Sequence, residues 1–399
     1  MMKDLASLVD FIRSMFHEQE AFIPLHDPRF IGNEKKYLGE CIDSNFVSSV
    51  GEFVGRFERM CAEYAGTKYA VAAMNGTSAL HMALQLSGVK RDDEVITQPL
   101  TFIATANAIS YTGARPVFID VDRDTMGLSP EKTDSWLKVN CGLRDGETYN
   151  IKTGRRISAC VPMHTFGHPL KIDLLAEVLG RYNIPLIEDA AESLGSYFRE
   201  KHTGTFGSAG ILSFNGNKII TTGGGGMILT DNEELAVKAK HITTQAKVPH
   251  AWEYVHDMTG YNYRLTNINA ALGCAQMETL DRLLELKREV AMQYREFLKD
   301  SEFIFFDEPE GCRSNFWLNV IVTKDRIRRD EVLEYTNSRG VMTRPIWELM
   351  NRLPMYRGCQ TDGLENSCWL ADRVVNLPSS AYIEGYGKAR AGLQEIRHK

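Results

Sequence analysis

Leu186-Ile187-Glu188-Asp189-Ala190-Ala191-Glu192 reads as a buried apolar strand that delivers two carboxylates at its C-terminal end and a third one turn later. In open α/β sheets that edge is where ligands bind. Around this strand, across residues 69–230, short apolar runs alternate with helical patterns. The rhythm predicts an α/β fold, a mostly parallel sheet with helices on both faces. Strands are expected at 69–73, 94–97, 116–120, 158–163, 185–188, 210–214 and 226–229, and helices near 78–86, 104–111, 130–139 and 174–182. Ser129-Pro130 marks the start of the third helix, since proline there gives up only an amide that has no helical partner.

Farther out, the polar and glycine-containing stretch 140–156 shows neither period and reads as an exposed loop. After Asn267, apolar residues at helical spacing (Leu272, Met277, Leu280, Leu283, Leu284, Val290, Leu298) predict one helix of about 30 residues, a strut to a second domain. Beyond it, strands at 303–306 and 317–322 and a helix at 329–339 make an α+β appendage. The chain has 399 residues, and a single core rarely grows past roughly 250–300. Two domains are therefore expected: residues 1–300, large and with an N-terminal helical extension, and residues 301–399, small and C-terminal.

Composition removes several classes of function. A content of 43 % hydrophobic and 25 % charged residues is that of a globular protein, and a net charge of −6 argues against nucleic acid or an anionic membrane as partner. The eight cysteines make no C-x-x-C pair and no zinc spacing, so neither a disulfide scaffold nor a metal is signalled, and reduced cytoplasmic thiols are the simplest reading. Asp4 and Asp10 spoil the N-terminal apolar stretch 5–16 as a signal peptide and leave an amphipathic helix, and no run of 18 apolar residues spans a bilayer.

Three segments carry chemistry. Asn75-Gly76-Thr77-Ser78 lies where a strand ends and a helix begins, either an anion site built from helical N–H groups and two hydroxyls, or an ordinary helix cap. Neither the Walker nor the dinucleotide glycine pattern is present, which disfavours a nucleoside triphosphate or NAD. The carboxylates at 188–192 suit magnesium, general-base work, a cationic heterocycle or a simple cap. In Ser213-Phe214-Asn215-Gly216-Asn217-Lys218, one lysine sits in a turn ahead of four glycines that can let a ligand touch backbone. Apolar neighbours would lower its pKa and free the amine for a Schiff base; otherwise it is a surface lysine. A phosphate cradle, a carboxylate and a lysine on one sheet edge together match pyridoxal phosphate, which carries an anion, a protonated ring nitrogen and an aldehyde.

On these residues the chain resembles the DegT/StrS family of nucleotide-sugar aminotransferases, over residues 23–378. The likeness also includes Ile23-Pro24-Leu25, Thr101-Phe102-Ile103-Ala104-Thr105-Ala106-Asn107-Ala108, Gly260-Tyr261-Asn262-Tyr263-Arg264 and Thr343-Arg344-Pro345. It implies the fold-type-I architecture and pyridoxal 5′-phosphate held as an aldimine on Lys218, with pyridoxamine phosphate as the intermediate form. By the same resemblance Asp189 partners the ring nitrogen, Phe102 stacks on the cofactor, and Gly76, Thr77, Ser78 and Ser213 hold its phosphate. Asn262 would reach the phosphate of a neighbouring subunit, making a homodimer with shared sites the smallest working unit.

Three departures, Asn215-Gly216-Asn217, the glycines at 223–226 and Glu192, look like the branch that aminates carbon 4 of UDP-2-acetamido-2,6-dideoxy-4-keto-hexoses, on routes to bacillosamine or legionaminic acid. Glu192 would then lie near the cofactor's 3-oxygen. The implied reaction is ping-pong transamination from L-glutamate, which leaves as 2-oxoglutarate, to a nucleotide-linked keto sugar; GDP- and dTDP-sugars are the alternatives. Among polar candidates for substrate contact are His164 with His168, Arg344 and Trp347, each of which also has a purely structural reading. Competing readings are a non-catalytic pyridoxal-phosphate-binding regulator or partner subunit, and a decarboxylase or racemase on the same fold.

Overall fold

The computed structural model describes residues 5–386. Seven strands, β1 (Tyr69–Ala73), β2 (Glu94–Thr97), β3 (Arg115–Phe118), β4 (Ile157–Val161), β5 (Ile187–Asp189), β6 (Ala209–Ser213) and β7 (Gly226–Thr230), run side by side in the order β3-β2-β4-β5-β6-β7-β1. Parallel bridges at Cys160–Leu186 and Met163–Asp189 join β4 to β5. Only β7 runs against its neighbours. The reason is local: residues 214–225, between β6 and β7, form turns without a helix, and a parallel return needs a crossover element.

Successive residues of the central strands face opposite layers, as a period of two requires. Val95, Ala159, Ile211 and Ile228 join one cluster with helices α4 (Gly76–Leu86), α5 (Ile103–Tyr111) and α8 (Glu233–Thr243). On the other face Ile96 and Cys160 pack with α6 (Pro130–Asn140) and α7 (Ile172–Arg181), and Leu212 and Met227 with α3 (Glu52–Ala65) and α9 (Asn267–Met277). Both faces are thus covered, and the C-terminal strand ends form an edge open to ligands.

After α10 (Leu280–Leu298), the strands Ile304–Phe305, Asn319–Val322, Val374–Leu377 and Arg344–Pro345 form an antiparallel sheet with α11 (Arg326–Asn337). The N-terminal helix α1 (Leu5–Met15) joins this part: Leu8, Val9 and Ile12 share a core with Val290, Tyr294, Ile321 and Val332. Residues 1–4 and 387–399 of the two expected domains lie outside the described residues.

Two expectations are corrected. The single 30-residue helix is two, broken at Glu278-Thr279. Helix α9 is buried nearly all round by small residues against α2 (Glu34–Asp43) and α3, whereas α10 buries one stripe, so one straight rod cannot serve both. Glu278 pins the break, taking hydrogen bonds from Tyr37 Oη at 2.6 Å and Arg56 Nη2 at 2.6 Å. The stretch 140–156 is no mere loop, because Cys141–Arg144 pairs antiparallel with Glu147–Asn150. Its turn, Asp145-Gly146, has φ of 53° and 80°, the left-handed pair that a two-residue hairpin favours.

The C-terminal part is fastened to the sheet edge by Asp120, which is fully buried and takes hydrogen bonds from Ser367 Oγ at 2.6 Å and from the amides of Asn366 and Ser367 at 2.8 Å. Asp120→Ala leaves these donors buried without a partner. It is expected to lower stability by about 2–4 kcal/mol in urea unfolding.

Candidate active site

The chain leaves β1 through Asn75, whose side-chain Oδ1 accepts the Ser78 amide at 2.8 Å and so starts α4. Gly76 and Thr77 then present the helix start to a cavity of about 330 Å³, while Ser78 is buried and does not line it. Ser78, expected among the phosphate contacts, has its amide tied into the cap and is not among the residues lining the cavity. A Cβ at position 76 would come within 3.1 Å of the Cβ of Ser213, another lining residue, so the close approach asks for glycine. None of the four glycines at 223–226 lines this cavity, and the last two, Gly225 and Gly226, are crowded by Thr222 and Asn75. A Cβ on Gly226 would stand 2.4 Å from the Asn75 carbonyl oxygen.

Strand β5 sends its last two carboxylates to opposite sides. Glu188 is fully buried, next to His164 Nε2 at 3.0 Å, and accepts the amides of Gly204 at 2.8 Å and Gly207 at 2.9 Å. Burial pushes its carboxyl up, but His164 and these amides outweigh burial and hold it below the usual range. His164 Nδ1 accepts the Leu170 amide at 3.3 Å, so the ring hydrogen sits on Nε2 and is donated to Glu188. With both nitrogens engaged and no exposed surface, His164 is a structural residue, and its expected substrate contact is withdrawn. His168 is equally buried, edge-on to Phe306 and Phe316, and burial lowers its pKa to about 4.

Asp189, in contrast, lines the cavity. It accepts Thr105 Oγ1 at 2.7 Å and the Ala191 amide at 3.2 Å, and burial raises its pKa. Among the described residues no cation forms an ion pair with it. Such a carboxylate asks for a positive partner from outside the chain.

Lys218 follows β6 in a turn closed by the Lys218 amide on the Asn215 carbonyl at 3.0 Å. Its neighbours are not simply apolar, as the sequence suggested. Nζ lies 3.3 Å from Glu192 Oε1 and 3.8 Å from the centre of the Trp317 ring, whose Nε1 donates to the Asn217 carbonyl at 2.7 Å. Burial drives Glu192 up to about 7, against the pull of Lys218. Phe102, half exposed, and Trp347 line the same cavity with ring centres 6.3 Å apart. Arg344 and Asn262 are exposed and lie outside its lining. Asn262 accepts Arg264 Nε at 3.1 Å beside a separate cavity that includes Ser48, Met74 and Gly224. A larger cavity of about 570 Å³ near Tyr64 and Arg288 holds none of these groups.

Residues 29–386 match the DegT/DnrJ/EryC1/StrS aminotransferase family. The chain belongs to this family. It is 37 % identical to the GDP-perosamine synthase of Escherichia coli O157:H7 over 90 % of its own length and 93 % of that protein's. To the GDP-perosamine synthase of Caulobacter vibrioides it is 36 % identical, over 89 % and 92 %. The crystal structure of the aminotransferase TlmJ from Streptoalloteichus hindustanus superposes with a TM-score of 0.83 at 26 % identity, covering 94 % of this chain and 100 % of that one.

As a DegT/DnrJ/EryC1/StrS aminotransferase, the chain is a pyridoxal-phosphate-dependent sugar aminotransferase of fold type I, which sets aside the regulator, decarboxylase and racemase readings. The residues present fit the cofactor: an open helix start at Gly76 and Thr77 for an anion, a buried Asp189 with no ion-pair partner among the described residues for a cationic ring, and one lysine between them. Sequence reasoning gave no site role to Thr105, though it lies in the motif at 101–108, to Trp317, or to Asn315, whose Nδ2 donates to the Glu192 carbonyl at 2.9 Å. Trp317, 99 positions beyond Lys218 in the chain, carried no local signal. No helix among the described residues is long and apolar enough to cross a membrane.

A carboxyl whose folded pKa exceeds its ordinary 4.5 stabilises the chain below that value and loses the contribution as pH rises toward about 7. In the cofactor-free protein, the stability difference between Glu192→Gln and wild type should therefore move in the variant's favour from pH 5 to pH 8. The change should be on the order of 2–3 kcal/mol by chemical denaturation. Parallel curves would show that Glu192 does not titrate in this range.

Proposed function

We propose that the enzyme transfers an amino group from L-glutamate to carbon 4 of a nucleotide-linked 4-keto-6-deoxy sugar, releasing 2-oxoglutarate, in two half-reactions at one site. The observation that carries this reading is the meeting of Lys218 Nζ, the Asp189 carboxylate and the Gly76-Thr77 helix start around one cavity. Bound there, pyridoxal phosphate supplies an aldehyde that takes an amine and a protonated ring that withdraws electrons. Gly76, Thr77 and Ser213 would hold the phosphate, Phe102 would cover the ring, and Glu192 would serve the 3-oxygen. Asp189 keeps the ring nitrogen protonated, because an ion pair in a water-poor site favours both charged forms. Lys218 Nζ takes up and returns the proton at the carbon that carries the amino group.

Trp347 and, more remotely, Arg344 are the candidate sugar or donor contacts. Asn262 serves the phosphate of a second copy, so the working unit is a homodimer, and the eight free thiols suit the cytoplasm. The division into a cofactor-carrying part, residues 1–300, and a smaller part, 301–399, belongs to the same proposal.

For the nucleotide, two readings have separate support. Two relatives, at 37 % and 36 % identity, are GDP-perosamine synthases, which favours a GDP-linked acceptor. Asn215, Asn217 and Glu192, which belong to two of the three departures that suggest UDP-2-acetamido sugars of the bacillosamine and legionaminic acid type, line the cavity, which supports that reading.

A panel of GDP-, UDP- and dTDP-linked 4-keto and 3-keto sugars with glutamate, read as 2-oxoglutarate formed, tests both. Turnover confined to 3-keto sugars would sink the carbon-4 assignment. Lys218→Ala should lower kcat by roughly a thousandfold or more. Asp189→Asn should cut the rate strongly while some cofactor stays bound, measured by absorbance of the purified variant.

A further inference from the structure

Phe166 is fully buried yet has φ 56° and ψ 17°, a left-handed backbone that a bulky residue adopts at a cost of order 1 kcal/mol or more. Its amide donates to Glu192 Oε2 at 2.9 Å. Asn315 Nδ2 donates to the Glu192 carbonyl, also at 2.9 Å. The backbone and one oxygen of this acid are thus pinned, and Oε1 is left facing Lys218 Nζ at 3.3 Å. Trp317 covers Nζ from another side. Among the described residues, Glu192 supplies the only acceptor within hydrogen-bonding distance of the amine. A strained turn that holds an acid against one lysine calls for a purpose beyond packing.

We propose that Glu192 is the proton acceptor of Lys218: when the amine condenses with the cofactor's aldehyde, the ammonium proton passes to Glu192 Oε1 instead of to water. This rests on the reading of Lys218 as the cofactor-bearing amine. The balance is complete. The ammonium gives up a proton, the freed lone pair forms the bond to the aldehyde carbon, the carbonyl oxygen leaves as water, and the carboxylate becomes a carboxylic acid.

The direction follows from the surroundings. Burial favours the neutral acid, Lys218 favours the anion, and Asp189 opposes it. Condensation removes the positive charge of Lys218, so the acid holds its proton more firmly afterwards than before. Releasing the lysine reverses the transfer, and the amine regains its proton without waiting for solvent. The site's net charge stays constant while its single lysine changes state.

The test mixes cofactor-free enzyme with pyridoxal phosphate in weakly buffered indicator solution and counts protons released per chain. Borohydride trapping and peptide mapping confirm attachment at Lys218. At pH 8, Glu192→Gln should release about one proton per chain more than wild type, because the amide cannot accept it. At pH 6 the difference should vanish, since Glu192 is already protonated in the wild type. Equal release at pH 8 overturns the proposal, and failure to trap an adduct at Lys218 overturns the underlying assignment of that amine as well.

Should the variant fail to fold, the wild type alone decides, with release by a free lysine analogue measured beside it. Relative to that analogue, the enzyme should release close to one proton at pH 6 and well under half at pH 8. A flat profile overturns the proposal.

Discussion

The ammonium of Lys218, set between the carboxylate of Glu192 and the indole face of Trp317, is the contact on which the site depends. Each partner comes from a different part of the chain, and each is separately anchored. Glu192 is pinned by Phe166 and Asn315, and Trp317 by its own Nε1 on the Asn217 carbonyl. Lys287, fully buried and with its pKa pushed well down by burial, donates to the Trp317 carbonyl at 2.7 Å. A buried amine held by carbonyls is costly. Its bond ties the Trp317 backbone to helix α10.

Three acidic residues within five positions have three different fates, and burial with partner identity explains all of them. Glu188 is satisfied by a histidine and backbone amides, and acts as a structural anion. Asp189, one residue later on the strand, faces the cavity with hydrogen bonds but no ion-pair partner among the described residues. Glu192 meets the lysine. Composition alone treats the three as equivalent; the pleat of the strand and the turn after it separate them.

Much of the fold was legible from local pattern. The seven core strands fall within a few residues of their expected places because strands buried on both faces leave short continuous apolar runs between helical patterns. The helix break at Glu278-Thr279 was not legible, since a straight helical pattern continues through it and only contacts with Tyr37 and Arg56 turn the chain. The hairpin at 141–150 was legible in principle from Asp145-Gly146, whose signal the polar composition masked. Within the site, Lys218, Asp189, Glu192, Gly76, Thr77, Ser213, Phe102 and Trp347 do converge on one cavity, whereas Ser78, His164, Arg344 and Asn262 do not line it.

By itself the sequence determined the α/β architecture, the open sheet edge and the residue types that a phosphate, a cationic ring and an aldehyde need. Those properties follow from short-range periodicity and from chemistry attached to strand ends. Only the tertiary structure decided that Glu192 and Trp317 flank the lysine, that His164 serves Glu188, and that Ser78 turns inward. The physical reason is distance along the chain: periodicity tells a side chain which face to take, but what waits on that face is set by packing between segments 24 to 99 residues apart.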